Sequence, residues 1–126
     1  MELTKAEWQI MNILWQSFPA SARQISNRLP KENKWAYTTI KTILFRLVTK
    51  GAVKEAKEGN ICIYTPILVR QSARKSALKS LVNQAFDGTF LPLLHFLMEE
   101  QILSPKQKQQ ILQTLEDEEK NKRKET

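Results

Sequence analysis

A turn-forming triplet between two short strand-like runs, placed directly after a strongly periodic helix, is the feature that most limits what this 126-residue chain can fold into. Ile40, Ile43, Leu44 and Leu47 recur at i, i+3, i+4 and i+7, so a helix from about 36 to 50 turns one apolar face inward. Gly51 follows where a left-handed residue would close that helix. Ala52 to Lys57 and Ile61 to Thr65 then flank Glu58-Gly59-Asn60, whose residue types suit a hairpin turn, so a β-hairpin is expected over about 52–66.

Two more helices precede this unit. Thr4-x-x-Glu7 and Ser21-x-x-Gln24 each have the spacing of a capping box, the first opening a helix to about Phe18 and the second a shorter one that stops before Pro30. The first helix carries Trp8, Met11, Leu14, Trp15 and Phe18 on one stripe and Ile10 and Ile13 on another, which suits a spine covered from two sides. The order helix, helix, helix, hairpin is that of a winged helix-turn-helix domain, assigned to residues 1–68. The fold class expected for the whole chain is mainly α with a small β-hairpin, joined to a helical dimerisation domain.

The outer face of the 36–50 helix is polar, basic and short-chained. Thr38, Thr39 and Thr42 permit close approach to base edges, whereas Lys41 and Arg46 can reach flanking phosphates. Phe45 is the odd member of that face. Ser21 and Arg23, at the start of the second helix, suit a phosphate backbone, as do Lys57 and Asn60 in the hairpin. The formal charge of +7 points the same way, and it is unevenly placed. Residues 1–66 hold ten Lys or Arg against five acids, and residues 67–126 hold ten against eight. The expected partner is double-stranded DNA. A solvated amphipathic face is the plainer account of an isolated helix of this kind, and the surrounding elements argue against it.

The remaining residues, 69–126, read as helices. Val69 to Phe86 presents Ala77, Leu78, Leu81, Val82 and Ala85 before Asp87-Gly88 ends it. Thr89 to about Glu100 is apolar nearly all round, and Ser104-Pro105 opens a third helix through Ile111, Leu112 and Leu115 before a solvated, frayed tail from Glu116. Three helices in some sixty residues make a thin core. An intertwined homodimer through Leu78, Leu81, Phe90, Leu94, Leu97, Ile111, Leu112 and Leu115 is therefore expected.

Other classes find less material. One cysteine, Cys62, and one histidine, His95, can build neither a disulfide nor a multi-ligand metal site within a chain, so no metal and no cofactor are expected. The absence of a convergent acid, base or phosphate-loop motif argues against an enzyme. A winged helix can also serve as a protein-docking module without sequence-specific DNA binding, but such a face favours apolar anchors over threonines and cations. The longest hydrophobic patch, Phe90 to Met98, is interrupted by Pro92 and His95 and is too short to span a membrane, so a cytoplasmic location without membrane contact is expected.

The segments Leu3 to Trp15 and Thr39 to Gly51, the hairpin ending Tyr64-Thr65-Pro66, and Ala85-Phe86-Asp87-Gly88-Thr89 together resemble the penicillinase-repressor family, over essentially the whole chain. That family contains β-lactamase and methicillin-resistance repressors and copper-responsive CopY-type repressors. The resemblance implies repression by a homodimer on a pseudopalindromic operator, in an operon of the β-lactam-resistance or copper-homeostasis type. It places the recognition contacts on Thr38, Thr39, Lys41, Thr42 and Arg46, with Lys41 standing where the β-lactam repressors often have arginine. That change keeps the charge but loses the bidentate fork. The tail from Glu116 to Thr126 lacks the cysteines of the copper-responsive branch. Induction in the β-lactam branch is linked to a protease cutting an Asn-Phe bond, for which the matching pair here is His95-Phe96; dimer core accounts equally for Phe96, and a hydrogen-bonded core or interface position for His95.

Overall fold

The computed structural model describes residues 1–99 and 101–125, with side chains through residue 121. It divides into two compact units, Met1–Leu78 and Lys79–Thr126.

In the first unit, α1 (Lys5–Gln16) starts at Thr4, whose hydroxyl accepts from the Glu7 amide at 3.2 Å while the Glu7 carboxylate accepts from the Thr4 amide at 2.8 Å. The same reciprocal cap joins Ser21 and Gln24 at the head of α2 (Ala22–Arg28). Both expected capping boxes are thus present. Asn33 bridges the loop that follows: its amide donates to Gln9 at 3.1 Å and its carbonyl oxygen accepts from the Trp35 amide at 2.9 Å. That bridge sets where α3 (Tyr37–Lys50) begins. Ile40, Ile43, Leu44 and Leu47 of α3 are buried against Ile10, Met11 and Leu14 of α1 and Ile25 of α2, as the periodicity required. Gly51 closes α3 at φ 83°, with the amides of Gly51 and Ala52 donating to the carbonyls of Val48 and Leu47. A Cβ there would meet no atom within 4 Å, so the backbone angle, not crowding, is what calls for glycine.

The hairpin is β2 (Val53–Glu58) paired antiparallel with β3 (Ile61–Pro66). Glu58 faces Ile61, so the turn is the two residues Gly59 and Asn60 and Glu58 belongs to the strand. The sheet has a third strand that the periodicity did not reveal. β1 (Ala20–Ser21) pairs with β3 through Ala20 opposite Tyr64 and Ser21 opposite Ile63, giving the order β1-β3-β2. Trp15 ties the sheet's exit to α1 by donating its indole N–H to the Leu68 carbonyl at 2.8 Å, with the Arg70 guanidinium 5.4 Å over its ring. Trp8 meets Trp15 edge to face at 5.8 Å. Phe18 departs from the expected stripe: α1 ends at Gln16, which leaves Phe18 past the helix and exposed.

Glu7 is the buried acid of this unit, 1% exposed, and Lys50 at the far end of α3 donates to its Oε1 at 2.6 Å. Burial pushes the Glu7 carboxyl up, but the Lys50 ammonium and the Thr4 hydrogen bonds outweigh it and hold the group below the usual glutamate value. Because the folded chain binds this proton less readily than the unfolded one, the ionised pair stabilises the fold above the unfolded glutamate value of about 4.3, and that contribution is lost as pH falls through the lower folded value. Thermal melts of the chain and of Glu7→Gln between pH 7 and pH 3 check this. The unaltered protein should lose stability more steeply with acid, and parallel curves would contradict the assignment.

In the second unit, α4 (Arg70–Ala85), which begins in the first, ends where Asp87 and Gly88 take φ 50° and 81° and the Gly88 amide donates to the Val82 carbonyl at 3.0 Å. α5 (Leu91–Glu99) follows, and its expected end at Glu100 lies outside the described residues. Ser104 caps α6 (Pro105–Glu125) through Gln107, with Pro105 as its first residue. The expected frayed tail is corrected here. From Glu116 the chain remains helical to Glu125, where Glu, Lys and Arg are good helix formers.

On α4, Val82 is buried, whereas Leu78 and Leu81, two of the expected dimer contacts, are about half exposed in the single chain. No residue of α5 is buried. Phe90, Leu91, Leu94, Phe96, Ile102, Leu112 and Leu115 all stand exposed, so a single chain leaves this helical unit's apolar faces uncovered. No described helix is long and apolar enough to cross a membrane.

Candidate nucleic-acid interface

The inward face of α3 is consumed by the core, which leaves a continuous outward face of Thr38, Thr39, Lys41, Thr42, Phe45 and Arg46, all exposed. Thr42, and Thr49 two turns on, are held close to the helix. The Thr42 hydroxyl donates to the Thr38 carbonyl and the Thr49 hydroxyl to the Phe45 carbonyl, both at 2.9 Å. Each hydroxyl oxygen keeps its lone pairs outward as an acceptor, and each methyl is free for apolar contact.

Three elements meet at the N-terminal end of that face. Ser21, Ala22 and Arg23 from the start of α2, Tyr37 and Lys41 from α3, and Asn60, Ile61, Cys62 and Tyr64 from the hairpin line one hollow of about 270 Å³. The Arg23 guanidinium lies 5.2 Å from the Tyr37 ring centroid and the Lys41 ammonium 5.8 Å from it. Tyr64 is nearly buried at the back of the hollow. Burial, with the negative charge of Glu55 across the strand pair as a lesser cause, pushes its phenol up to about 12, so it stays a neutral hydrogen-bond donor.

Of the contact residues expected from the sequence, the structure therefore gathers Ser21, Arg23, Lys41 and Asn60 around one hollow. Thr38, Thr39 and Thr42 continue from it along α3. Arg46 lies about 6 Å beyond Thr42 along the helix axis, and lines a separate apolar hollow with Thr4, Glu7, Phe45, Thr49 and Lys50. Lys57 points from exposed β2, opposite Cys62, and does not line the first hollow. Phe45 is 69% exposed. Tyr37 is the residue that the sequence reading passed over. Its position four before Lys41 placed it beside that cation on the helix surface, a signal available from spacing alone; its nearness to Arg23 depends on how α2 packs.

His95 and Phe96 lie inside α5, both exposed in the single chain, so the expected core or interface role for either needs cover from outside this chain. Cys62 is half-buried on β3 and packs against the core.

Comparison with known proteins agrees with this arrangement. Residues 3–117 match the family described as Penicillinase repressor. The chain is 30% identical to the penicillinase repressor of Bacillus licheniformis over 124 residues, 98% of this chain and 96% of that protein. It is also 30% identical over 103 residues to the methicillin resistance regulatory protein MecI of Staphylococcus aureus strain N315, covering 82% and 84% of the two. Among solved structures, it resembles the DNA-binding domain of the repressor BlaI at a TM-score of 0.50 and 30% identity, over 57% of this chain and 93% of that one. The monomeric form of Bacillus licheniformis BlaI in complex with the blaP half-operator matches at the same TM-score and identity, over 57% and 88%. With a three-helix and hairpin unit of the same kind, and sequence similarity running through the helices that follow, this chain belongs to the penicillinase repressor family.

Proposed function

We infer that this protein is a transcriptional repressor that occupies operator DNA as a homodimer, residues 1–68 reading the DNA and residues 69–126 joining the two copies. The observation that carries the reading is the outward face of α3: threonines and cations stand free along it, and Arg23 and Asn60 close in on its N-terminal end from α2 and the hairpin. Recognition requires such a face, with short side chains toward base edges and cations toward phosphates on either side. The relative solved with a half-operator supports it. The relatives' names favour a β-lactam-resistance operon over one of copper homeostasis.

Dimerisation is supported by uncovered apolar side chains on α4 and in the second unit. Leu78, Leu81, Phe90, Leu94, Leu112 and Leu115 are exposed, and α6 carries an apolar groove of about 380 Å³ along Leu103, Ile111 and Leu115. Leu97 and Ile111 are half-buried in the same unit. Large apolar side chains exposed in such number support an interaction site here. An inducing protease acting at His95-Phe96 fits the same surface, because both residues are accessible in the single chain and the surrounding α5 buries none of its residues to resist local opening.

Fluorescence-anisotropy titration against DNA from immediately upstream of the protein's own gene and against a scrambled duplex, at several salt concentrations, tests the function. A preference of about 10³ or more, saturating at two chains per site, is the expected result. Thr39→Ala should then lower operator preference by about 1 to 3 kcal/mol, as loss of a base contact does. Lys41→Ala should weaken both duplexes and flatten the salt slope, as loss of a phosphate contact does. Equal, salt-dependent binding to both duplexes by the unaltered chain would reduce the interaction to nonspecific electrostatics and favour a docking module.

A further inference from the structure

The hollow between α2, α3 and the hairpin brings two cations together without a carboxylate to balance them. Arg23 and Lys41 come from different helices, yet both rest on Tyr37, at 5.2 and 5.8 Å from its centroid. No acid lines the hollow, and among the described residues neither cation has an ion-pair partner. Two like charges resting on one aromatic ring and lining one hollow are poised for an anion, since the ring quadrupole offsets only part of their repulsion.

We propose that Tyr37 is the positioning residue of a phosphate seat, its ring holding the Arg23 guanidinium and the Lys41 ammonium at one hollow so that cations from two helices grip a single phosphodiester of the DNA. The inference rests on the DNA-binding function proposed above and adds a residue and a site to it. The remaining lining suits the ligand. The Ser21 oxygen accepts from the Gln24 amide, so its O–H is free to donate outward, and the Asn60 amide in the hairpin turn supplies further donors. A volume of about 270 Å³ leaves room for a phosphate group and its flanking sugar atoms.

Tyr37 contributes by pre-organisation. Arg and Lys are long side chains with much rotamer freedom, and resting both on one ring before DNA arrives removes part of the ordering cost of binding. The ring is 42% exposed, so it contributes little to the core and its replacement leaves the fold in place. This anchoring is sequence-blind. It would fix the register of α3 on the duplex, while Thr38, Thr39 and Thr42 on the same helix do the reading.

The test is a titration of operator and scrambled duplexes with the full chain and with Tyr37→Leu, Tyr37→Phe, and each of these in an Arg23→Gln/Lys41→Gln background. Tyr37→Leu should weaken both duplexes alike by about 5- to 30-fold, the worth of two exposed cation–π contacts, whereas Tyr37→Phe keeps the ring and should restore affinity to within about twofold. Without the two cations, Tyr37→Leu should have no further effect beyond about twofold. In a methylphosphonate scan, one neutralised position should abolish the difference between the chain and Tyr37→Leu.

Three results would overturn the seat while leaving the function intact: Tyr37→Phe as weak as Tyr37→Leu, a changed operator preference in Tyr37→Leu, or an undiminished loss in the background lacking the cations. Failure of the unaltered chain to bind either duplex would overturn both the seat and the function on which it rests.

Discussion

Leu112→Lys is expected to convert the proposed homodimer to a monomer and to weaken operator binding by about 10²-fold or more, equivalent to at least about 2.7 kcal/mol. Leu112 lies in the middle of α6 and is half exposed in the single chain, so lysine, a good helix former, leaves the protomer itself undisturbed. In a symmetric dimer the substitution enters the interface twice, and each copy puts an ammonium without a partner into apolar surroundings. Operator affinity falls because two linked reading heads bind as one ligand, whereas two separate ones do not share the second head's effective concentration. Sedimentation-equilibrium mass and operator titration check the expectation together, with Leu112→Met as a control that keeps the apolar surface. A dimer of unchanged affinity would place the interface elsewhere. Binding to a half-operator duplex should be nearly unchanged, since Leu112 lies far along the chain from the residues proposed to read DNA.

Leu44→Ala is expected to destabilise the first unit by about 3 to 4 kcal/mol. Leu44 is fully buried at the centre of α3 and belongs to the same cluster as Ile10, Leu14, Ile25 and Val53, so elements on several sides limit how far the space can collapse. For a unit of this size the loss corresponds to a fall in melting temperature of roughly 12 to 30 °C. The adjacent Phe45 supplies an internal comparison. It is the larger side chain and is 69% exposed, and Phe45→Ala should change stability by no more than about 0.5 kcal/mol. Denaturant unfolding at fixed protein concentration measures both, the fixed concentration holding any contribution of dimerisation constant between variants. A Leu44→Ala cost below about 1 kcal/mol would mean that α3 is not packed as described.

The pair shows how one helix divides its labour. The face that includes Leu44 fixes the orientation of α3, and the neighbouring face, spared from packing, is left for contact. Lys50 at its C-terminal end is engaged by Glu7 and helps to fix the helix in place, while Lys41 near its start remains open toward the hollow. Charges of the same kind on one helix thus take different roles according to what the fold brings beside them.

What residue order alone determined lies mostly within one turn of helix or one hairpin. The two capping boxes at Thr4 and Ser21, the cap at Ser104, the inward periodicity of α3, the glycine that ends it and the position of the hairpin each depend on groups a few residues apart, whose geometry is local. The threonine and cation face was legible for the same reason, because it is the complement of the apolar stripe.

Tertiary structure decided the features that join distant segments. β1 is two residues long, and its strand geometry comes only from pairing with β3. The buried Glu7 meets Lys50 forty-three residues later, a contact that the capping role of Glu7 does not foretell. Arg23 and Lys41 look in sequence like two separate surface charges, and only the packing of α2 against α3 sets them on one tyrosine ring. Phe18, Leu78 and Leu81 show the converse, since apolar character marks a side chain as wanting cover but not where the cover will come from. A local pattern specifies which way a residue faces along its own element, whereas burial and partnership depend on the element that arrives opposite.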